Sequence, residues 1–530
     1  MKFLMATQVV NAFGIVVNDP NIVIRRINMS NPRHALILLL TAVVCFGTGE
    51  AAIAQERESG SKTRAVSLAG SGSCRLMVGD NIQVSDIAKR LGAYVYETQI
   101  AVNPKNSRNL IASGLYHLGD PKDSSAQEAL AYVSEDGGRS WRRGKRPAAT
   151  FREGDATLIF DRRGTAYYYT IGEKGNFLSR STDQGRSWTV PTRVSGFIDH
   201  VTLATDLGKG SYGGNLYGLG GDRTKENSRA VDTLFFTVSK DRGMNWDVKK
   251  MTTVDALGPD YFLVGSVMSL LVSREGRLSL PFVAGVTTNG KINLDSPNSY
   301  HWITFSDDGG KTFARPRQLH LADGSPLMKS GRVSWWGIGY AIDTTLGPFD
   351  GRLYTAWMEE DAATQMRKLF FSFSDGGDIW SAPNVVETAA IDNREGVLES
   401  SVLPTVSVNN RGVLILSWYR FTAPEDAADK RSASYQRYIT ASLDGGATFL
   451  PTVPLASQPT PDYEQFGFKN GRLGDYLNTT AGPDGIFHAL WMDGRTGTQQ
   501  MWYSSIRVEC EGKPAVANSS APSKRQLYTH

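Results

Sequence analysis

The stretch Ser134–Trp141, SEDGGRSW, decides the fold because it returns along the chain. STDQGRSW (Ser181–Trp188), SKDRGMNW (Ser239–Trp246), SDDGGKTF (Ser306–Phe313) and SLDGGATF (Ser442–Phe449) repeat its pattern, and FSDGGDIW (Phe373–Trp380) reads as a sixth copy that lacks the leading Ser. Their acidic residues, Asp136, Asp183, Asp241, Asp308, Asp375 and Asp444, stand 47 to 69 residues apart, which suits one small sheet per repeat with loops of varying length.

A fainter repeat precedes each octapeptide: an apolar strand, an Asp, Asn or Gly turn, then a second apolar strand. Examples are QIAVNPKNSRNLIASGLY, TLIFDRRGTAYYYT and TVSVNNRGVLILSWY, and TTAGPDGIFHALW makes a seventh. Helical periodicity is almost absent, so the pattern is all-β. Each unit reads as strand, turn, strand, loop, strand, octapeptide turn, strand, which is the blade of a β-propeller. The expected fold is a propeller of seven four-stranded blades, with six as the alternative. The seventh unit ends in QQMWYSSIRVEC without an octapeptide or a fourth strand, and NIQV (Asn81–Val84) is expected to supply the missing outer strand, so that the two termini close the ring.

Residues 29–54 carry Arg33 and His34, the apolar run Ala35–Phe46 and a small-residue segment ending Ala-Ile-Ala, the pattern of a cleaved export signal. The apolar run is short for a bilayer span. The expected organisation is a signal over 1–54 with Met29 as the true start, a flexible leader over 55–73, one propeller domain over 74–510 and a disordered tail over 511–530. The mature protein is then secreted or periplasmic, and Cys74 and Cys510 remain after Cys45 is lost. In an oxidising compartment that pair reads as a disulfide pinning the closure, the alternative being two separate buried thiols. Over so long a loop such a bridge contributes roughly 4–5 kcal/mol before strain. A net charge of +4 on 530 residues gives no reason to expect a nucleic-acid partner, and a monomer without membrane contact after signal cleavage is expected. Seven scattered His and no Cys/His spacing give no metal signature and no cofactor; a structural Ca²⁺ in DTTLGPFDG is weakly indicated.

The octapeptides match the Asp box, S-x-D-x-G-x-x-W, and on them the chain resembles the sialidase superfamily of Asp-box (BNR) propellers. The resemblance implies that the box is the turn between the third and fourth strands. Turn chemistry accounts for each fixed position: Ser and Asp bond the turn backbone, Gly takes positive φ, and the aromatic packs beneath. Because successive antiparallel strands reverse direction, these turns mark the face opposite the mouths of the first strands. The functional face should carry residues just before each first strand and just after each second one.

Aligning the repeats on Asn103, Asp161, Asp206, Ser273, Asp343, Asn409 and Gly482 and stepping back six positions lands on Glu97, Asp155, His200, Val267, Gly337, Leu403 and Tyr476. One position earlier lie Asp199, Trp336 and Asp475; after the second strands lie Arg420 and Arg495. Family sialidases use a Tyr nucleophile with a Glu, an Asp acid/base and three Arg. The resemblance thus implies Tyr476 as nucleophile, with Asp155, Glu97 and Asp475 as further catalytic candidates and Arg472, Arg495, Arg420, Asp199, His200 and Trp336 as substrate-binding ones. The family's Arg-Ile-Pro signature is absent; that region reads GAYVYETQ. The favoured expectation is a secreted sialidase-like glycoside hydrolase on an anionic or acylated glycan. The alternatives are a non-catalytic glycan- or protein-binding propeller, with Trp335, Trp336 and Trp491 as stacking surfaces, and a polysaccharide lyase using His200 and Tyr476.

Overall fold

Each repeat closes into a sheet whose strands follow one another outward in chain order. In the first, Ala93–Asn103 pairs with Asn106–Leu118, then Gln127–Ser134, then Arg142–Arg143. The same order recurs in Glu153–Ser195, Asp199–Met251, Tyr261–Gln318, Val333–Ala389 and Thr405–Pro454. These, with the closing sheet, are seven blades of an all-β propeller; among the described residues there is no helix. The computed structural model describes residues 74–86, 93–118, 127–145, 153–226, 229–251, 261–264, 269–288, 291–292, 300–327, 333–360, 367–389, 403–422, 434–460 and 477–511. The signal, leader and tail expected from the sequence lie outside them.

Blade seven takes Thr479–Ala481, Phe487–Asp493 and Gln500–Cys510 from the C-terminal end and its outer strand from the N-terminal end. That outer strand is longer than NIQV alone. Cys74–Val78 pairs antiparallel with Gln500–Cys510, and after a break at Gly79 the short Ile82–Gln83 pairs with Tyr503 and Trp502. Cys74 and Cys510 are partners in this register and are joined as a disulfide.

Both faces of a blade meet a neighbour, so both faces of its strands must be apolar, and the middle strands read as continuous runs: AYYYTIG and FHALWMD are buried at every position. The hydrophobic core is accordingly divided into layers, one in each gap between adjacent blades. In the seam between blades six and seven, Tyr419 and Ile439 face Trp491 and Phe487.

The octapeptides join the third and fourth strands. In the first, Ser134 Oγ accepts from Gly138 N (2.8 Å) and donates to Asp136 Oδ1 (2.8 Å), while Asp136 accepts from the backbone and hydroxyl of Ser140 (3.0 and 2.6 Å). The turns at Ser181, Ser239, Ser306 and Ser442 repeat this network. The sixth copy has its leading Ser after all, and the reading from Phe373 is corrected. Ser374 Oγ accepts from Gly377 N (2.8 Å), so the turn is one residue short, and Asp375 leaves it to bind Arg352 (2.6 and 3.0 Å). The turns also seal the seams. Gly310 has φ 86°, and a Cβ there would stand 2.2 Å from the Phe236 ring of the preceding blade; Gly138 meets Tyr503 of blade seven at the same distance.

Candidate functional site

The opposite face is built by a repeated irregularity. In blades one, two and three the first strand slips register against the second, between Tyr96 and Gln99, Gly154 and Thr157, and Asp199 and Thr202. Each slip is a bulge whose pivot is a non-glycine residue in the left-handed region: Glu97 (φ 54°), Asp155 (φ 42°) and His200 (φ 50°). Blade six has Leu403 (φ 33°) at this rung, and blade five slips between Val333 and Ile338, a stretch that includes Trp336 and Gly337. The six-residue step from the turn lands on the pivot because the inner strands have one length from bulge to turn. A bulge re-aims a side chain, and left-handed backbone costs a non-glycine residue about 1–3 kcal/mol.

Two of these pivots meet. Ligand atoms of Asp155, Asp199 and His200 all lie within 4.8 Å of one another. His200 Nδ1 stands 3.3 Å from Asp199 Oδ2, and the His200 backbone N–H donates to Asp199 Oδ1 (3.1 Å). Partial burial works against the Asp199 anion, but the hydrogen bond and charge of His200 hold its carboxyl below the ordinary carboxylate range. Asn176, fully buried on the third strand of blade two, grips the residue before them. Its Oδ1 accepts from Ile198 N (3.1 Å), and its Nδ2 donates to Ile198 O (2.7 Å) and to Tyr169 Oη (2.8 Å). Sequence reasoning missed Asn176, because GNFLSRS carries several polar residues and nothing in it sets Asn176 apart from the others. Two carboxylates and an imidazole at this spacing can pass a proton or hold a divalent cation, and His200 touches the channel.

That channel is a cavity of about 910 Å³ walled by the inner strands of the blades. Its wall is mostly Thr, Ser, Val, Ile and Leu; His200 marks the bulge end and Arg274 the turn end. Glu97 is buried at the first pivot, and beside it Thr98 bridges to Leu477 of the chain entering blade seven. Arg472, Asp475 and Tyr476 lie outside the described residues. Trp336 is on the slipped strand Val333–Ile342.

Neither second-strand arginine joins the cluster or lines the channel. Arg420 pairs with Glu387 of blade five and lies over the Tyr438 ring at 3.8 Å. Arg495 pairs with Asp493, stacks on Trp502 at 4.4 Å and donates to Asn81 Oδ1 (3.1 Å) and Ser457 Oγ (2.8 Å), tying the closing strand to blades six and seven. In DTTLGPFDG, Asp343 Oδ1 accepts from Thr345 N (2.7 Å) to form the turn, and Asp350 binds Arg274 (2.8 and 3.0 Å).

No protein-family model matches the chain. Among solved structures it is similar to a protein of unknown function from Dyadobacter fermentans (12% identity, 82% of this chain and 99% of the other, TM-score 0.43). It is also similar to an α-L-arabinofuranosidase from Fusarium graminearum (10% identity, 68% and 95%, TM-score 0.39) and to a Hadza microbial sialidase (14% identity, 78% and 65%, TM-score 0.37). Likenesses at these TM-scores carry no argument about this chain. Its own topology defines the fold, and its own residues must define the site.

Proposed function

We propose that the protein is an exported, sialidase-like glycoside hydrolase acting on an anionic or acylated glycan at the channel mouth of blades one, two, three and seven. The observation that carries the reading is the left-handed pivot at one rung of three successive blades. Glu97, Asp155 and His200 all occupy it, and Asp155, Asp199 and His200 converge within 4.8 Å. Left-handed backbone in a non-glycine residue persists where the surroundings impose it, and such strain gathers at functional sites. In this reading Asp155 gives its proton to the glycosidic oxygen as the bond to the anomeric carbon breaks. Tyr476, the chain neighbour of Leu477, attacks that carbon and passes its phenolic proton to Glu97. Water then hydrolyses the glycosyl-enzyme, with Asp155 now acting as base. Asp475, Arg472 and Trp336 complete the substrate contacts. The signal over residues 29–54, secretion, and a single propeller domain over 74–510 belong to the same proposal.

Purified mature protein assayed on labelled sialosides and a panel of uronic-acid polysaccharides tests it. Turnover is expected, with kcat lowered about 10²–10⁴-fold in Asp155→Asn and KM little changed. Wild-type rates in both Asp155→Asn and Glu97→Gln would sink the assignment. The Asp199–His200 pair favours a second reading, since a carboxylate that orients an imidazole is how a general base is built. A lyase that removes the proton beside a uronate carboxylate leaves an unsaturated, ultraviolet-absorbing product, and hydrolysis leaves none.

A further inference from the structure

Among the described residues, blade six contains a charge without a counter-charge. Arg437, on the third strand Ser434–Ser442, is completely buried. Its Nε donates to Ser417 Oγ on the second strand (2.8 Å) and its Nη2 to Thr405 Oγ1 on the first (3.3 Å), and its guanidinium lies 5.3 Å over the Tyr419 ring. Nη1 has no hydrogen-bond partner, and no carboxylate lies within ion-pair distance among the described residues. Burial lowers its pKa to about 10, so the side chain remains a cation at neutral pH. An isolated buried charge is costly, and a protein normally supplies an acid to balance it.

Hydroxyls carry this charge to the channel. Thr405 Oγ1 is 3.1 Å from Thr479 Oγ1 of blade seven, and both residues line the cavity that His200 lines. Two hydroxyls hold two hydrogens, and their mutual bond uses one, whichever of them donates. The other hydrogen has no partner among the described residues, and the guanidinium that donates to Thr405 repels it, leaving it for an acceptor that reaches the pair. We propose that Thr405 and Thr479, polarised by Arg437, form an anion subsite in the channel wall between blades six and seven, which takes the carboxylate of an acidic sugar. The identity of the anion rests on the carbohydrate reading above; the subsite itself does not.

The test is calorimetric titration of the full mature chain with sodium glucuronate at fixed ionic strength, with glucose and sodium chloride as parallel arms. Saturable binding of glucuronate and none of glucose is expected. Thr479→Val and Arg437→Met should each weaken it about tenfold or more, the usual size of a lost charge-assisted hydrogen bond. Arg437→Met removes the charge, and Thr479→Val is the second arm should the first variant fold poorly. Equal binding of glucose, absence of glucuronate binding, or affinities within twofold of wild type in both variants would each overturn the subsite. Chloride binding with the same sensitivity to both variants, in place of glucuronate, would overturn the sugar carboxylate as its occupant. Glucuronate binding by a protein that turns over no glycan would refute the hydrolase and leave the subsite standing, whereas turnover without glucuronate binding does the reverse.

Discussion

Histidines 301 and 488 are almost completely buried in the seams and must stay neutral to remain there. His301 Nδ1 lies 2.6 Å from Tyr340 Oη and His488 Nδ1 lies 2.7 Å from Tyr503 Oη. Burial lowers the pKa of His301 from 6.5 to about 3; burial, partly opposed by the charge of Asp484, lowers that of His488 to about 4. Below pH 6.5 the unfolded chain binds protons that the folded one refuses, so these residues favour the folded state above that pH and their contribution falls as the pH drops toward 4. For His488 the loss is on the order of 3 kcal/mol. Asp308 acts lower on the scale. Desolvation, the largest single influence there, is outweighed by the combined hydrogen bonds from Thr312, Ser306 and the Lys311 backbone, and its pKa of about 2 extends the loss from about pH 4 downward. Melting temperature recorded from pH 7 to pH 3 should decline from 6.5 onward, with the upper part flattened in His488→Gln; a plateau down to pH 4.5 would contradict it. None of this was legible in the sequence, where His301 and His488 are two of seven scattered histidines and sit in no motif. Glu97, Asp155 and His200 were legible as positions, because they keep a constant distance from an Asx turn. Their backbone conformation was not, since nothing in the letters marks Glu, Asp or His for positive φ.

The octapeptide turn acts as an element by fastening one blade to the previous one. Gly310 needs its φ of 86° and also the space that a side chain would take from Phe236. Gly310→Ala should therefore lower stability by roughly 2–4 kcal/mol, from left-handed backbone and overpacking together. Gly376→Ala, in the shortened turn, meets no atom within 4 Å and should change stability by less than about 0.5 kcal/mol. Denaturant midpoints of the two variants compare them directly, and equal losses would mean that the seam contact is immaterial. The third strands show a second pattern. Five residues before the turn Ser stand Asn176, His301 and Arg437 in blades two, four and six, each reaching a first strand or the chain that leads into one. Apolar alternation reveals where such strands lie, but the partner of a buried polar residue is set by packing across blades. For the same reason Arg420 and Arg495 looked like mouth residues, whereas Glu387 and Asn81, remote in sequence, hold them.

At the scale of the ring, the closure joins ends 436 residues apart. Cys74→Ser or Cys510→Ser should lower unfolding free energy by up to roughly 6 kcal/mol in the chain-entropy account for a loop of this span, above the roughly 4–5 kcal/mol expected from the sequence, and reductant should bring the wild type to the same midpoint without affecting the variants. A midpoint insensitive to reductant would show that the paired strands alone hold the ring. The number of units, their register and the incomplete seventh were all readable, because repetition multiplies weak strand signals. The seven-layered core followed from them, whereas the channel's chemistry did not, since each wall strand contributes only a few side chains to it. The outer strand of blade seven also sets an order of events during synthesis. Cys74–Val78 leaves the ribosome first, yet the edge it must join, Gln500–Cys510, is made last. The earliest strand of the propeller waits through the making of nearly the whole chain, and a polypeptide cut short anywhere before Gln500 has no edge on which to place it.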